Sequence, residues 1–349
     1  MSKLECKGFT VQYFGYSPAI SSVTTVFSSG LNVIYAAEKG GKTTFLKAIA
    51  GILPYKGELL LDGEDFSSIP LKQRDVQMLF DDYALFSRHS ARSNLEYPLR
   101  LRKVPKEERR KRVEEAAALF DLDVMIDAPV YKLNEWHKLS IVLCRAYLRE
   151  AKVLLIDNVF SGLDPLSRKE ALLRYLPMLT GKGIVIYATD LPSEAAALSK
   201  EIKLLSYGYL LQEGAPEDFL SRPACVAAFD AFAEYASFLP CSLTEAGLGI
   251  LDKTFPIGEI SLLSEGYLGG NAIVGLLPED LILSDDGFSA EVVGKFYRGA
   301  EKIYSLRTED GEIFLSSERE LVLGEQVKVA VTRISGLFDA VNERTIVRC

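Results

Sequence analysis

Val33-Ile34-Tyr35-Ala36-Ala37-Glu38-Lys39-Gly40-Gly41-Lys42-Thr43-Thr44 runs from an apolar strand through a glycine turn into Phe45-Leu46-Lys47-Ala48-Ile49-Ala50. The stretch reads as a phosphate-binding loop. In the pattern G-x-x-x-x-G-K-[ST], backbone N–H groups at a helix N-terminus cradle phosphates, the lysine reaches the terminal phosphates and the hydroxyl holds Mg²⁺. Gly41, Lys42 and Thr43 fit it, while Ala36 stands where the first glycine belongs. The candidate phosphate site is therefore Ala36, Ala37, Glu38, Lys39, Gly40, Gly41, Lys42, Thr43 and Thr44. The competing reading is a strand-turn-helix that happens to carry a lysine, so the remaining sequence has to decide. Upstream, Tyr13, Phe14 and Tyr16 cluster about twenty residues ahead of the glycine turn. There, Tyr13 and Phe14 are candidates to stack on a base.

Downstream, Lys152-Val153-Leu154-Leu155-Ile156-Asp157 is a buried strand ending in a carboxylate, the Walker B shape. An aspartate at that place can hold magnesium through water or the loop's threonine, which makes Thr43 and Asp157 the candidate metal ligands. Ser161-Gly162-Leu163-Asp164 follows, then a helix at about 165–180 and a further buried strand, Gly183-Ile184-Val185-Ile186-Tyr187-Ala188-Thr189-Asp190. Strands alternating with helices predict a mostly parallel sheet covered on both faces. Between the two blocks, Ala91 to Leu119 is spaced as helix, with Leu95, Leu99, Val113, Ala117 and Leu119 as expected buried positions and Pro105 as punctuation.

Composition narrows the class. The 349 residues are 48% hydrophobic and 25% charged, the profile of a packed protein of about two domains. No apolar run has the roughly 18 to 20 residues of a membrane span, and Met1-Ser2-Lys3-Leu4-Glu5-Cys6 lacks a signal-peptide core, so a cytoplasmic protein is expected. Five scattered cysteines form no C-x-x-C pair, which predicts reduced thiols and no zinc site. The net charge of −8 is uneven: residues 240–349 hold 18 acidic and 10 basic side chains, leaving 30 of each for residues 1–239. That balance argues against nucleic acid as a partner. The basic run Arg100 to Arg112 is interleaved with Glu107 and Glu108 and followed by Glu114 and Glu115, which reads as a solvated helix face with i,i+4 pairs.

Taken together, the phosphate loop at 36–44, Phe80-Asp81-Asp82-Tyr83-Ala84-Leu85-Phe86, Leu133 with Arg145-Ala146, Leu155-Ile156-Asp157 and Ser161-Gly162-Leu163-Asp164 closely resemble the ATP-binding cassette family, specifically the ATPase subunit of maltose-type and related importers. Gln212-Glu213-Gly214-Ala215-Pro216-Glu217-Asp218 and Leu277-Pro278-Glu279-Asp280 extend the resemblance over nearly the whole chain. It implies an α/β fold, a P-loop (RecA-like) ABC ATPase domain with a helical insertion, followed by a small all-β OB-like/TOBE regulatory domain. The boundaries expected are 1–221 for the cassette, with the helical subdomain at about 88–150, then a linker at 222–239 and the β domain at 240–349. ATP and Mg²⁺ are the implied ligands. A homo- or hetero-dimer of such subunits, docked on integral membrane permease subunits through the groove near Tyr83, Leu85 and Phe86, is the implied assembly, peripheral on the inner face of the cell membrane. Phe86 and Tyr97-Pro98-Leu99-Arg100-Leu101 are most like the sugar or glycerol-phosphate importers.

The family's catalytic positions are where this sequence departs. The Q-loop glutamine is Asp81, the glutamate after the Walker B aspartate is Asn158, and the switch histidine is Asp190. An amide accepts no proton at neutral pH, and losing a positioned base typically costs about 10²–10⁴-fold in rate. The signature segment L-S-G-G-Q reads Leu133-Asn134-Glu135-Trp136-His137, a charge and a ring in place of two glycines. Two unit charges at about 4 Å repel by roughly 4 kcal/mol at an effective dielectric near 20, so Glu135 is expected to oppose closure on a partner's nucleotide. The expectation is an ATP-binding importer subunit with hydrolysis weak or lost; the alternative is a pseudo-ATPase that steers an active partner. In the C-terminal third the period changes to two, as in Val327, Val329 and Val331, and Glu309-Asp310-Gly311 reads as a hairpin turn.

Overall fold

A computed structural model describes residues 2–181, 183–244, 247–255 and 271–346. The chain divides into two compact units, Met1–Leu210 and Leu211–Cys349. The division falls before residue 221, the boundary expected from the sequence.

The first unit opens with β1 (Lys3–Gln12), β2 (Pro18–Ser28) and β3 (Gly30–Tyr35). Along β1 the buried side chains are Leu4 and Cys6, then Phe9 and Val11, a change of phase that a regular strand cannot make. A register shift between Cys6 and Phe9 absorbs it, and Gly8 sits there at φ 57. Helix α1 (Lys42–Ile49) follows the glycine turn, and then come β4 (Lys56–Leu61), β5 (Glu64–Asp65) and β6 (Val76–Leu79). Strands β1, β2, β4 and β5 form an antiparallel sheet in the order β2-β1-β4-β5.

Three helices make the insertion: α2 (Ala91–Leu101), α3 (Lys106–Leu119) and α4 (Glu135–Arg149). Leu95, Leu99, Val113 and Ala117 are buried as the spacing required, but Leu119 is 46% exposed and Phe120 is buried in its stead. The helix ends at Leu119, and the non-helical turn at Phe120, φ −109, swings that ring inward. The charged face of α3 carries the i,i+4 pairs Arg110–Glu114 and Lys111–Glu115.

Strand β7 (Val153–Asp157), helix α5 (Pro165–Leu179), β8 (Ile184–Thr189), α6 (Pro192–Leu198), β9 (Ile202–Ser206) and β10 (Tyr209–Gly214) complete the cassette sheet, ordered β10-β9-β3-β8-β7-β6. The pairs β3/β8, β3/β9, β7/β8 and β6/β7 are parallel. Every residue of β7 and β8 is buried, the near-continuous apolar run that a sheet covered on both faces demands. Because these neighbours run the same way, the segments that follow β3, β6, β7 and β8 all emerge at one end of the sheet, where ligands bind in folds of this kind.

The second unit contains α7 (Asp218–Ser221), α8 (Val226–Asp230) and the strands β11 (Ser237–Thr244), β12 (Gly247–Ile250), β13 (Lys253–Phe255), β14 (Asn271–Leu276), β15 (Leu281–Arg298), β16 (Glu301–Arg307), β17 (Glu312–Ser316), β18 (Gln326–Val331) and β19 (Gly336–Asp339). They form two sheets, ordered β13-β12-β11-β14-β19 and β17-β16-β15-β18. Glu309-Asp310-Gly311 lies in the turn between β16 and β17, with Gly311 at φ 149. The segment expected as a linker is partly structured: Phe229 of α8 is buried with Ala233, Leu277 and Phe338, and β11 begins at Ser237, before the expected boundary at 240.

Candidate nucleotide-binding site

The phosphate loop hangs between β3 and α1. Gly41 caps α1 at φ 105, a conformation that L side chains rarely adopt. A Cβ on Gly40 would lie 2.8 Å from the Ala36 methyl and 3.0 Å from the Ala37 carbonyl, so this turn closes only around glycine. Ala36 is itself buried, which accounts for a small residue at the first position, whereas Ala37, Glu38 and Lys39 face solvent and Lys39 takes φ 64. Lys42 is nearly buried, and its Nζ donates to the carbonyls of Ala36 at 2.5 Å and Ala37 at 3.1 Å. Burial lowers its pKa, and Asp190, then Asp157, then Glu38 oppose that shift. The cation is thus parked across the mouth of its own loop, among three carboxylates. Thr44 shares a hydrogen bond of 3.1 Å with the Tyr13 hydroxyl, which ties the upstream aromatic segment to the loop, and the Phe14 ring is fully exposed.

At the end of β7, Asp157 is buried, and its Oδ1 has no hydrogen-bond partner among the described residues. Burial raises its pKa, the hydrogen bond with the Thr43 side chain lowers it, and Asp81 adds to the rise. A buried, unpartnered carboxylate oxygen beside a hydroxyl is the donor set a hard divalent cation takes. The residues present therefore fit Mg²⁺, with Thr43 and Asp157 to hold it; when bound, the ion offsets phosphate charge.

The rim residues come from the neighbouring strand ends. Asp81 follows β6 and is exposed. Asn158 follows β7 at φ 49, with its N–H directed at the Ala188 carbonyl at 3.4 Å. Asp190 follows β8, whose Thr189 carbonyl accepts from Ala36 N at 3.2 Å, so Asp190 comes out beside the start of the phosphate loop. The sequence reading missed the residue that links these positions. Arg168 on α5, largely buried, places Nη2 at 3.5 Å from Asn158 Oδ1, 3.9 Å from Asp190 Oδ1 and 3.0 Å from Glu194 Oε2. Its Nε also pairs with Glu194, which accepts from the Tyr187 hydroxyl and the Thr189 hydroxyl at 2.8 Å each. Burial disfavours the guanidinium charge, but Glu194 more than offsets it and the pKa is raised. No motif in the sequence marks Arg168; locally, Asp164 caps the start of α5, accepting from Leu166 and Ser167 at 3.1 Å.

The signature-position residues gather elsewhere. Leu133 is buried, and Asn134 caps α4 by accepting from His137 N at 2.9 Å. Glu135 pairs with Lys138 at 2.7 Å and lies near Gly162 in the turn after β7. The buried Tyr83 hydroxyl approaches the same glycine, and its pKa is pushed up to about 12 by burial and by Glu135. Trp136 does not stand free at the helix tip: its ring centroid is 5.8 Å from that of Tyr175 on α5. Arg145 on α4 clamps the loop after β6, donating to the carbonyls of Tyr83 and Ala84 at 2.9 Å each.

With this geometry in view, comparison with known proteins gives a consistent picture. Residues 39–161 match the family model described as ABC transporter. The chain is 32% identical over 291 residues to the Fe(3+) ions import ATP-binding protein of Pectobacterium atrosepticum, covering 82% of this chain and 80% of that protein. It is 30% identical to the glucose import ATP-binding protein of Saccharolobus solfataricus, with 84% and 86% covered, and 29% identical to the sn-glycerol-3-phosphate import ATP-binding protein of Bordetella avium, with 84% and 82% covered. The solved structure of a subunit of an ABC transporter complex from Clostridium perfringens superposes with a TM-score of 0.57 at 22% identity, covering 63% of this chain and 90% of that one, a likeness of fold. A phosphate loop, a Walker B carboxylate poised for a cation, strand-end residues gathered at one end of a parallel sheet and a relative 32% identical over 80% of its length place this chain in the family of ABC transporter ATP-binding proteins.

Proposed function

We propose that this chain is the nucleotide-binding subunit of an ABC importer complex, binding Mg²⁺ and ATP while hydrolysing it weakly or not at all. One observation carries this reading. Lys42, Thr43 and Asp157 keep the lysine, hydroxyl and carboxylate that hold phosphate and metal, while the adjoining strand ends offer the amide of Asn158 and a carboxylate, Asp190, half-engaged with Arg168. The amide of Asn158, at the position that follows the Walker B aspartate, takes no proton from an attacking water at neutral pH. Calorimetric titration with Mg-ATP and a turnover assay on the same preparation test it: micromolar binding with turnover at background supports the reading, and an ordinary cassette rate sinks it.

The docking surface for a membrane partner is assigned to a groove of about 550 Å³ beside α2, lined by Phe86, Tyr97, Leu101, Arg102, Arg145 and Arg149 among others. Exposed apolar rings flanked by arginines suit a short amphipathic helix presented by a permease subunit. Tyr83, expected in this groove, is buried and turned toward Gly162 instead. Among the described residues no helix is long and apolar enough to cross a membrane; a peripheral place on the cytoplasmic side is part of this proposal. Pairing into a homo- or hetero-dimer and a regulatory role for the C-terminal β unit, of OB-like/TOBE type, belong to the same proposal. The alternative, a pseudo-ATPase that steers an active cassette, is favoured by the start of α4, where Asn134 caps the helix and Glu135 occupies its first position.

A further inference from the structure

We propose that the nucleotide site is selective for a nucleoside diphosphate over a nucleoside triphosphate, because Asp190 holds a carboxylate where the third phosphate would bring its charge. The inference rests on the reading of Ala36–Thr44 as a nucleotide site and adds to it which phosphate chain the site retains.

The backbone fixes the placement. Strand β8 lies beside β3 in parallel register, Tyr35 opposite Thr189 and Ala36 N bonded to the Thr189 carbonyl, so the residue after Thr189 leaves the sheet at the loop's first turn. The same first turn supplies the two carbonyls, Ala36 and Ala37, on which Lys42 Nζ rests. In loops of this kind the backbone amides cradle the inner phosphates and the lysine reaches the outer ones, outside the carboxyl ends of the strands; Lys42 has Asp190 and Asp157 as electrostatic neighbours there. Here those ends carry Asn158 and Asp190.

The charge balance decides the preference. Among the described residues Arg168 pairs with Asp190, at 3.9 Å. Its charge is already opposed by Glu194, which Tyr187 and Thr189 hold in place by hydrogen bonds. Arg168 therefore does not cancel Asp190 in full. Lys42 is drawn electrostatically to Asp190 first, ahead of Asp157 and Glu38. Asp190 is partly exposed, 36% at the side chain, so Arg168 leaves part of its carboxylate open to solvent. A diphosphate competes with Asp190 for Lys42 but stops short of it, whereas a triphosphate adds one to two negative charges next to it.

Like charges a few ångströms apart in a partly screened site differ by a factor of about ten or more in binding, so the intact chain is expected to bind Mg-ADP at least about tenfold more tightly than Mg-ATP or its β,γ-imido analogue. The test is calorimetric titration of the full chain with all three ligands, repeated for Asp190→Asn and Asp190→Ser. Removing the charge is expected to tighten the triphosphates by about tenfold while moving the diphosphate by less than about threefold. Two different side chains keep the test open if one variant folds poorly. Equal affinities in the intact chain, or an unchanged ratio in both variants, overturn the inference while leaving a nucleotide site intact. Absence of binding by any of the three overturns the nucleotide reading itself, and the inference with it.

Discussion

A carboxylate oxygen buried without a donor is the most consequential atom in the molecule. Asp157 Oδ1 has no hydrogen-bond partner among the described residues, and burial raises the group's pKa. A carboxyl whose folded pKa lies above its unfolded value costs stability once ionised. That cost is full above the folded pKa and is relieved as pH falls through it. Metal-free protein is therefore expected to melt at a higher temperature in mildly acidic than in neutral buffer, at least until other carboxylates protonate, and Mg²⁺ should narrow the difference; thermal melts with chelator and with Mg²⁺ check both. Asp157→Asn removes the charge and retains the shape. It should raise the urea midpoint of the metal-free protein by removing a buried charge, and abolish the Mg²⁺ dependence of nucleotide binding. A metal-free variant no more stable than the parent in urea unfolding would mean that the carboxylate finds water or another partner.

Among the elements, α4 carries the clearest local cause. Asn134 closes its first turn, so Asn134→Ala should cost about 1 kcal/mol by urea midpoint, while Glu135→Ala, which removes an ion pair that is half exposed, should cost less than about 0.5 kcal/mol. The order of these two costs is the check. Much of this level was legible in the sequence. The strand-turn-helix at 33–50, the buried runs that became β7 and β8, the first two of the insertion's three helices and the β16–β17 turn all follow from periodicity, capping residues and glycine. What escaped was the handover from Leu119 to Phe120, because a helix end changes the angle at which the next side chain points. The packing of residues 226–230 onto Phe338 escaped as well, since a partner more than a hundred residues away leaves no local pattern. Trp136 read as an obstruction because the sequence shows the glycine it replaces and not Tyr175, the ring it meets.

At the scale of the whole molecule, the site was legible as a set of positions but not as a set of interactions. The motifs named Asp81, Asn158, Asp157 and Asp190, and the fold brings them to one end of one sheet. Arg168 and Glu194, which join Asn158 to Asp190, carry no motif and emerge only when α5 and α6 are laid over the strand ends. The proposed docking groove offers a test on the same scale: Leu101, 66% exposed at its edge, tolerates Leu101→Glu without cost to folding, and the change should cut co-purification with the cognate membrane subunits severalfold while nucleotide binding stays as it was. The last prediction concerns why the departures occur together. On the proposed reading, a dimer whose nucleotides lie between one subunit's phosphate loop and the other's α4 would be weakened on the first side by Asn158 and Asp190 and on the second by Asn134 to His137. Catalytic groups that act as a unit are not additive, so one repaired position leaves the others limiting. Asn158→Glu alone, Asp190→His alone, or the segment change Asn134→Ser, Glu135→Gly, Trp136→Gly and His137→Gln alone should each raise turnover by less than about threefold, whereas all of them with Asp81→Gln should raise it by about a hundredfold or more, the scale of a recovered general base. Losing Trp136 from its contact with Tyr175 will lower stability, so melting temperatures accompany the rates. A single substitution that restores full turnover would show that the remaining departures are spectators and that hydrolysis was lost at one residue.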